Sequence, residues 1–385
     1  MGKALVDVLI PVFNGAKTIR SAIESIQRQT LKEFRIIVID DGSTDSTPEI
    51  LEGIAKSDSR LRVLTKSNSG IVDALNIGLE QCRAEYVARH DADDLANPTR
   101  FEEQIAYLRA HPACIAVSGA ARHIDERGRP TGTMARFPQP SSADPTRVPS
   151  REPYLMHPFL MVRRSSIQAV HGYRHVYHAE DTDLYWRLQE GGELHNLESV
   201  LGDFRLHSGS VTSSAAINGR ISALSSQLAG ISAMRRRAGR PDLEFRKNMI
   251  QQYHQAKSLS GIFHLGSYGL DKDETDHLEI SAAAKMLENA AYKPYELDLD
   301  DCTFIREAIG KHAHRLSPSN RSLLSRNLSG SAARLAHGRK LAEAAALLPP
   351  KLYPAAAGRL AFRASLPRPV RRFVKEVTRG AGYQK

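Results

Sequence analysis

Two almost wholly apolar runs near the start of the chain, VDVLIPV at 6–12 and FRIIVI at 34–39, limit its fold most strongly. A strand with one wet face alternates apolar and polar residues; these do not, so both faces must be covered. Between them, residues 18–29 carry Ile19, Ala22, Ile23 and Ile26 at helical spacing. Further short strands are expected at 61–64, from Tyr86 onward and at 115–119, with helices at 71–82 and 100–109. Another helix should begin near Ser46 or Thr47, with Pro48 in its first turn. Such alternation predicts βαβ units: an α/β fold with a Rossmann-like, mostly parallel sheet between helices.

In sheets of this kind ligands bind beyond the carboxyl ends of the strands. Polar clusters fall there: Phe13-Asn14, Asp40-Asp41, and Asp91-Ala92-Asp93. The last extends to Asp94, with Arg89 and His90 in front of it. If the chain stays extended, Asp91 and Asp93 face the same way. Carboxylates that close repel one another and call for a cation, for which Mn²⁺ or Mg²⁺ is the economical choice. A solvated acidic turn is the alternative. The first turn lacks GxGxxG and the chain lacks GxxxxGK[ST], so neither a dinucleotide fold nor a P-loop is signalled.

The regular pattern lapses after Ala120. Residues 125–128 suit a hairpin turn, and 138–153 form a loop rich in Pro and Ser whose length implies substrate contact or movement. A strand at 159–162, a helix at 179–189 and a last strand at 201–207 follow. Beyond Thr212 only helical patterns continue, which places an α/β domain at 1–212 and a mainly helical region at 213–385. Charge divides at the same point. Residues 213–385 hold 28 Lys and Arg against 15 Asp and Glu, a net +13 that leaves −3 for the first part. The last 75 residues carry 16 basic residues and two acids, Glu343 and Glu376.

No signal peptide is evident and no apolar run approaches the ~18 residues of a membrane span. Cys82, Cys114 and Cys302 are scattered, as free thiols in a reducing cytoplasm would be. A helix from Pro369 to about Arg379 would gather Val370, Phe373, Val374 and Val377 on one face, with Arg368, Arg371, Arg372, Lys375 and Arg379 around them. That pattern fits reversible attachment to the inner, anionic face of a membrane, or docking on the chain's own domain. Nucleic acid is not expected, because no aromatic-interleaved basic platform is present.

Six segments in order then resemble the family 2 glycosyltransferases, which have the GT-A fold: PVFNG at 11–15, DDGSTD at 40–45, NSGIVDALNIG at 68–78, DAD at 91–93, AEDTDLYWRL at 179–188 and RLHSGSVTS at 205–213. The resemblance covers about 210 residues. It implies an inverting, metal-dependent transferase that moves a sugar from a nucleotide-sugar, most often a UDP-sugar, to a glycan or lipid-linked acceptor in surface polysaccharide synthesis. On this likeness Pro11 and Phe13, with Asn14 beside them, line the base pocket, and Asp41 or Asp40 accepts the uracil N3–H. Asn68 lies beside the nucleotide, and Asp91, with Ala92, approaches ribose and sugar. Asp93 and His207 hold the metal, and Asp181 is the catalytic base.

The alternative readings of Glu180 and Asp181 as plain helix capping, and of His207 as a surface histidine, stand beside these. Two departures from the family pattern occur. Leu75 stands where an Arg is frequent, with Arg89 a candidate to supply the charge, and His157-Pro158 replaces a common Asn-Pro. Trp186 is either core or a platform for acceptor stacking, and Tyr173, Tyr177, His171, His175 and His178 either line the acceptor cleft or form an ordinary loop. A sugar-nucleotide nucleotidyltransferase is the alternative enzyme, although 11–15 lacks the Gly- and Arg/Lys-rich loop that triphosphate requires. A catalytically silent scaffold of the same fold is the other alternative.

Overall fold

The computed structural model describes residues 4–206, 215–292, 296–349, 352–354 and 356–358. The first half reads β1 (Val6–Val12), α1 (Ile19–Gln27), β2 (Phe34–Asp40), α2 (Thr47–Ser57), β3 (Leu61–Thr65), α3 (Ile71–Gln81), β4 (Tyr86–Arg89), β5 (Leu95–Ala96) and α4 (Arg100–Ala110). Then come β6 (Cys114–Ile124), β7 (Pro130–Ala135), β8 (Met161–Arg163), α5 (Arg164–Ala169), α6 (Glu180–Gln189) and β9 (Glu193–Arg205). One sheet runs β3-β2-β1-β4-β8-β6-β9-β5, and β7 pairs with β6. β3, β2, β1 and β4 are mutually parallel, β8 is antiparallel to both neighbours, and β6 and β9 are parallel.

The strand period of two sorts side chains between the sheet's faces. Val6, Val8, Ile10 and Val12 pack with Ile19, Ile23 and Ile26 of α1 and Phe101, Ile105 and Leu108 of α4. Leu9, Ile37 and Ile39 point the other way, onto Val72, Leu75 and Leu79 of α3 and Leu184 and Leu188 of α6. Asp7 is the one charge inside β1, fully buried and satisfied. It accepts from Arg35 Nε at 2.7 Å and Nη2 at 2.8 Å, and from the Ala84 N–H at 2.7 Å.

Several elements differ from the sequence expectations. The last strand is much longer than 201–207, because it pairs along nearly all of β6. Phe159 sits in a single 3-10 turn, His157–Phe159, and the strand begins at Met161. β5 has only two residues, too few for any periodicity. The turn expected at 125–128 does join β6 to β7.

Helices α7 (Ala216–Arg237), α8 (Met249–Ala256), α9 (Leu259–Gly266), α10 (Lys272–Tyr292), α11 (Leu299–His312), α12 (Pro318–His337) and α13 (Leu341–Leu347) follow. They have their own core around Ile280, Leu287, Ile305 and Leu328. α7 also packs on the α/β part, where Ala229 and Ala233 meet Ala179 and Trp186. Among the described residues no helix is long and apolar enough to cross a membrane.

Candidate active site

Strand register builds the cleft. Val12, Asp40 and Thr65 lie side by side at the ends of β1, β2 and β3, whereas Arg89 at the end of β4 lies opposite Leu9. β4 thus stops three residues short, and the following chain turns in the space in front of it. The His90 N–H donates to Leu9 O at 3.0 Å, and Ala92 and Asp93 form the turn. The extended path that would have put Asp91 and Asp93 on one face is therefore not taken. The turn does more, bringing ligand oxygens of Asp91, Asp93 and Asp94 all within 4.8 Å of one another.

These carboxylates are anchored from behind. Asp94, 1% exposed, accepts the Arg205 N–H at 2.8 Å through Oδ1, while its Oδ2 is buried without a partner among the described residues. Burial, then the charges of Asp91 and Asp93, push the Asp94 carboxyl well above its usual range. Arg205 Nε, from β9, donates to Asp93 O at 2.7 Å. Arg89, 3% exposed, pairs with Asp91. Buried Arg100 of α4 donates through Nη2 to Arg89 O at 2.7 Å and Leu160 O at 3.1 Å, tying β4 to β8. His207 lies outside the described residues.

The other strand ends form a second wall. Asp41 accepts the N–H groups of Ser69 at 3.0 Å and Gly70 at 2.9 Å, and pairs with Lys66. Gly42, at φ +78°, permits this closure: a Cβ there would stand 2.8 Å from Asn68 N. Asp40 is fully buried; Oδ1 accepts the Ser43 N–H at 3.0 Å and Oδ2 has no partner among the described residues. Pro11 is buried in β1, and Phe13 is 51% exposed at the rim. Asn14 adopts φ +53° and accepts the Thr44 N–H at 2.8 Å. Asn68 is exposed on the opposing loop, and Ala92 is half-buried. Leu75 is fully buried in the core, where an arginine's charge has no place.

The third wall is the start of α6. Glu180 and Asp181 open this helix, whose dipole favours negative charge. Asp181 Oδ1 accepts the Thr182 N–H at 2.7 Å. Burial, and next the Asp181 charge, push Glu180 up to about 7; burial likewise raises Asp181, with Glu152 adding to it and Arg89 opposing it. Asp183, two residues on, is fully buried between Arg174 and Arg187, with Arg187 Nε at 2.9 Å, so it has no access to an acceptor. Trp186 is fully buried against α7 and belongs to the core. His157 Nε2 lies 2.9 Å from Tyr173 OH, and burial followed by the Arg89 charge keeps that imidazole neutral. Tyr173 is thus buried beside the site, His175 pairs with Asp73 at 3.3 Å, and His171 is exposed.

Sequence reasoning missed Tyr185 and Arg205. Tyr185 was findable, four residues after Asp181 and hence on the same helix face. Its buried hydroxyl has no partner among the described residues. Arg205 reaches the turn through sheet pairing, which leaves no local signal.

A family model described as glycosyl transferase family 2 matches residues 7–170. EpsE of Bacillus subtilis (strain 168) is 33% identical over 203 residues, 51% of this chain and 71% of that one. AmsE of Erwinia amylovora, an amylovoran biosynthesis glycosyltransferase, is 31% identical over 201 residues, 50% of this chain and 73% of that one. Among solved structures, the mannosyltransferase PcManGT from Pyrobaculum calidifontis, in complex with GDP-Man and Mn²⁺, aligns over 94% of this chain and 88% of that one. Its TM-score is 0.50 at 16% identity, a likeness of fold alone.

Proposed function

The chain belongs to glycosyl transferase family 2, and on that premise we propose a metal-dependent, inverting transferase that uses a nucleotide-sugar. It carries the sugar of a UDP-sugar to a hydroxyl of a glycan or lipid-linked acceptor. One observation carries this reading: the ligand oxygens of Asp91, Asp93 and Asp94 gather within 4.8 Å of one another after β4, beside the buried Arg89 that pairs with Asp91, while a second carboxylate group, Glu180-Asp181, opens α6. The first group suits a metal-bound diphosphate and the second suits a proton in flight.

The residues of the turn fit Mn²⁺ or Mg²⁺. Hard divalent ions take carboxylate oxygens, and Asp94 Oδ2 is buried beside Asp91 and Asp93 without a hydrogen-bond partner among the described residues. Asp93 would hold the ion with His207, and the ion would supply positive charge to the departing diphosphate.

Asp181 takes the proton of the acceptor hydroxyl as the new C–O bond forms and the anomeric bond to the diphosphate breaks. A positioned carboxylate of this kind is worth about 10²–10⁴-fold. Attack from the face opposite the leaving group inverts the anomeric centre. Phe13 and Pro11 flank the base, and Asn14 and Asn68 edge the same cleft. Asp41 accepts three donors and an ionised carboxylate has about four lone-pair sites, so one remains for a base N–H; Asp40 Oδ2, without a partner among the described residues, is the neighbouring choice.

Likeness to AmsE supports polysaccharide assembly as the setting. The helical region, 213–385, is the part that carries the basic tail to the inner face of an anionic membrane. A panel of nucleotide sugars with Mn²⁺, assayed for nucleoside diphosphate release, tests the reading. Release from a UDP-sugar supports it; turnover of nucleoside triphosphates alone would make the chain a nucleotidyltransferase, and no turnover a scaffold.

A further inference from the structure

His157 is wedged between the two sides of the cleft. It opens the 3-10 turn His157–Phe159, and its carbonyl accepts the Leu160 N–H at 3.1 Å, while Leu160 O accepts the Arg89 N–H at 2.9 Å. The turn is thereby stapled to the end of β4, at the residue that pairs with Asp91. On its other side the imidazole meets Tyr185 edge-on, with ring centroids 6.3 Å apart. Tyr185 lies four residues after Asp181 on α6, and helical side chains lean toward the N-terminus, so its ring covers the turn that carries Asp181.

The two ring nitrogens of His157 have different surroundings. Nε2 lies 2.9 Å from Tyr173 OH. Tyr173 is itself fixed by Asn76 of α3, whose Nδ2 donates to Tyr173 O at 2.9 Å and whose Oδ1 accepts the Tyr173 N–H at 2.9 Å. Nδ1 has no hydrogen-bond partner among the described residues, and His157 is only half-buried although Pro158, Phe159, Tyr173 and Tyr185 around it are buried. A neutral imidazole offers one donor and one acceptor, so whichever role Nε2 takes with Tyr173, Nδ1 keeps the other.

We propose that His157 is a specificity-determining residue for the donor sugar: its Nδ1 hydrogen-bonds a hydroxyl of the transferred sugar while Tyr173 holds the ring in place. In inverting transfer the anomeric carbon lies between the departing diphosphate and the attacking hydroxyl. The sugar therefore spans the gap between the Asp91-to-Asp94 turn and Asp181, and His157 borders that gap. The inference rests on the nucleotide-sugar reading given above.

Two substitutions test it, because Asn reproduces the Nδ1 edge of histidine and Gln its Nε2 edge. Calorimetry on the full chain with Mn²⁺ compares affinity for UDP with affinity for the UDP-sugar that the panel shows to be turned over, and thermal unfolding is the fold control. His157→Asn should keep the ratio of UDP-sugar to UDP affinity within about twofold of the parent. His157→Gln should lower that ratio about threefold to tenfold, the range of a neutral hydrogen bond, with UDP affinity itself unchanged. The reverse order, Gln like the parent and Asn weakened, would make His157 a brace for Tyr173 and overturn the proposal, as would a ratio unmoved in both. If both variants lower the ratio, UDP-sugars each lacking one hydroxyl decide: a variant that no longer senses the hydroxyl the parent reads supports the contact, and one that still senses it refutes the contact. Should His157→Gln fail to fold, His157→Ala takes its place with the same expectation. If no UDP-sugar is turned over, the proposed function fails; if one is and the ratio stays still, only the present inference fails.

Discussion

Arg89 and Asp91 form an ion pair between the last residue of β4 and the turn in front of it, with the Arg89 side chain 3% exposed. A buried cation there makes it tolerable to crowd Asp91, Asp93 and Asp94 together, since like charges in low dielectric otherwise resist joint ionisation. Asp94 and the Glu180-Asp181 pair act on the same guanidinium. Arg89 is thus a shared counter-charge for both sides of the cleft.

Replacing Asp93 by Ala should remove metal-dependent donor binding, because the diphosphate would lose its bridging ion. Calorimetry with UDP and Mn²⁺ checks this. Unchanged metal-dependent affinity would place the ion elsewhere.

Asp181→Asn should leave donor affinity nearly intact while transfer falls by about 10²–10⁴-fold, since the amide keeps the shape but takes no proton. The pH dependence follows from the raised carboxyls. A base works only when ionised, and burial raises Asp181 while Glu180 is pushed up to about 7. Transfer should therefore decline, as the pH falls, before an ordinary aspartate would protonate. An acid limb no higher than that of an ordinary aspartate would remove Asp181 from this role.

Asp183→Asn should act on stability. Asp183 is fully buried between Arg174 and Arg187, and breaking such an arrangement costs about 3–5 kcal/mol. A lowered Tm with unchanged donor affinity per folded molecule is the expected result. A stable but inactive variant would instead assign Asp183 to the chemistry.

Gly42→Ala should cost about 1–2 kcal/mol from the left-handed backbone at φ +78°. The added Cβ also meets Asn68 N at 2.8 Å, which pushes the 66–70 loop away from Asp41. Weaker binding of UDP, measured by calorimetry alongside Tm, is the readout. Unchanged affinity would detach that loop from the donor site.

The segment from Pro369 to Lys385, outside the described residues, should tether the chain to anionic vesicles. Gln at Arg368, Arg371, Arg372 and Lys375 should release it, and rising salt should weaken binding, since screening acts within about 10 Å at 0.1 M. Activity on a soluble acceptor should survive. Binding indifferent to salt and lipid charge would refute the tether.

Local pattern alone carried the parallel core. The apolar runs at β1 and β2 admit no wet face, and the spacing of Ile19, Ile23 and Ile26 matches the face of α1 that packs on β1. The Asp91-to-Asp94 cluster was legible from its place after a readable strand, whereas Glu180-Asp181 stood out only through the family resemblance, since two acids opening a helix otherwise read as capping. What sequence could not supply was long-range placement. Whether Trp186 faced core or acceptor depended on α7 covering it, some 40 residues further along the chain. Asp183 and Asp181 are nearly alike in sequence, yet Arg174 and Arg187 sequester one and leave the other at the cleft. β9 extends through residues with weak strand character because β6 offers it a full ladder. Glu152 and Lys285, 133 positions apart, become one ion pair only when α10 packs over the 138–153 loop. Periodicity reports which face of an element is apolar, whereas the partner that covers that face is chosen by packing the whole chain.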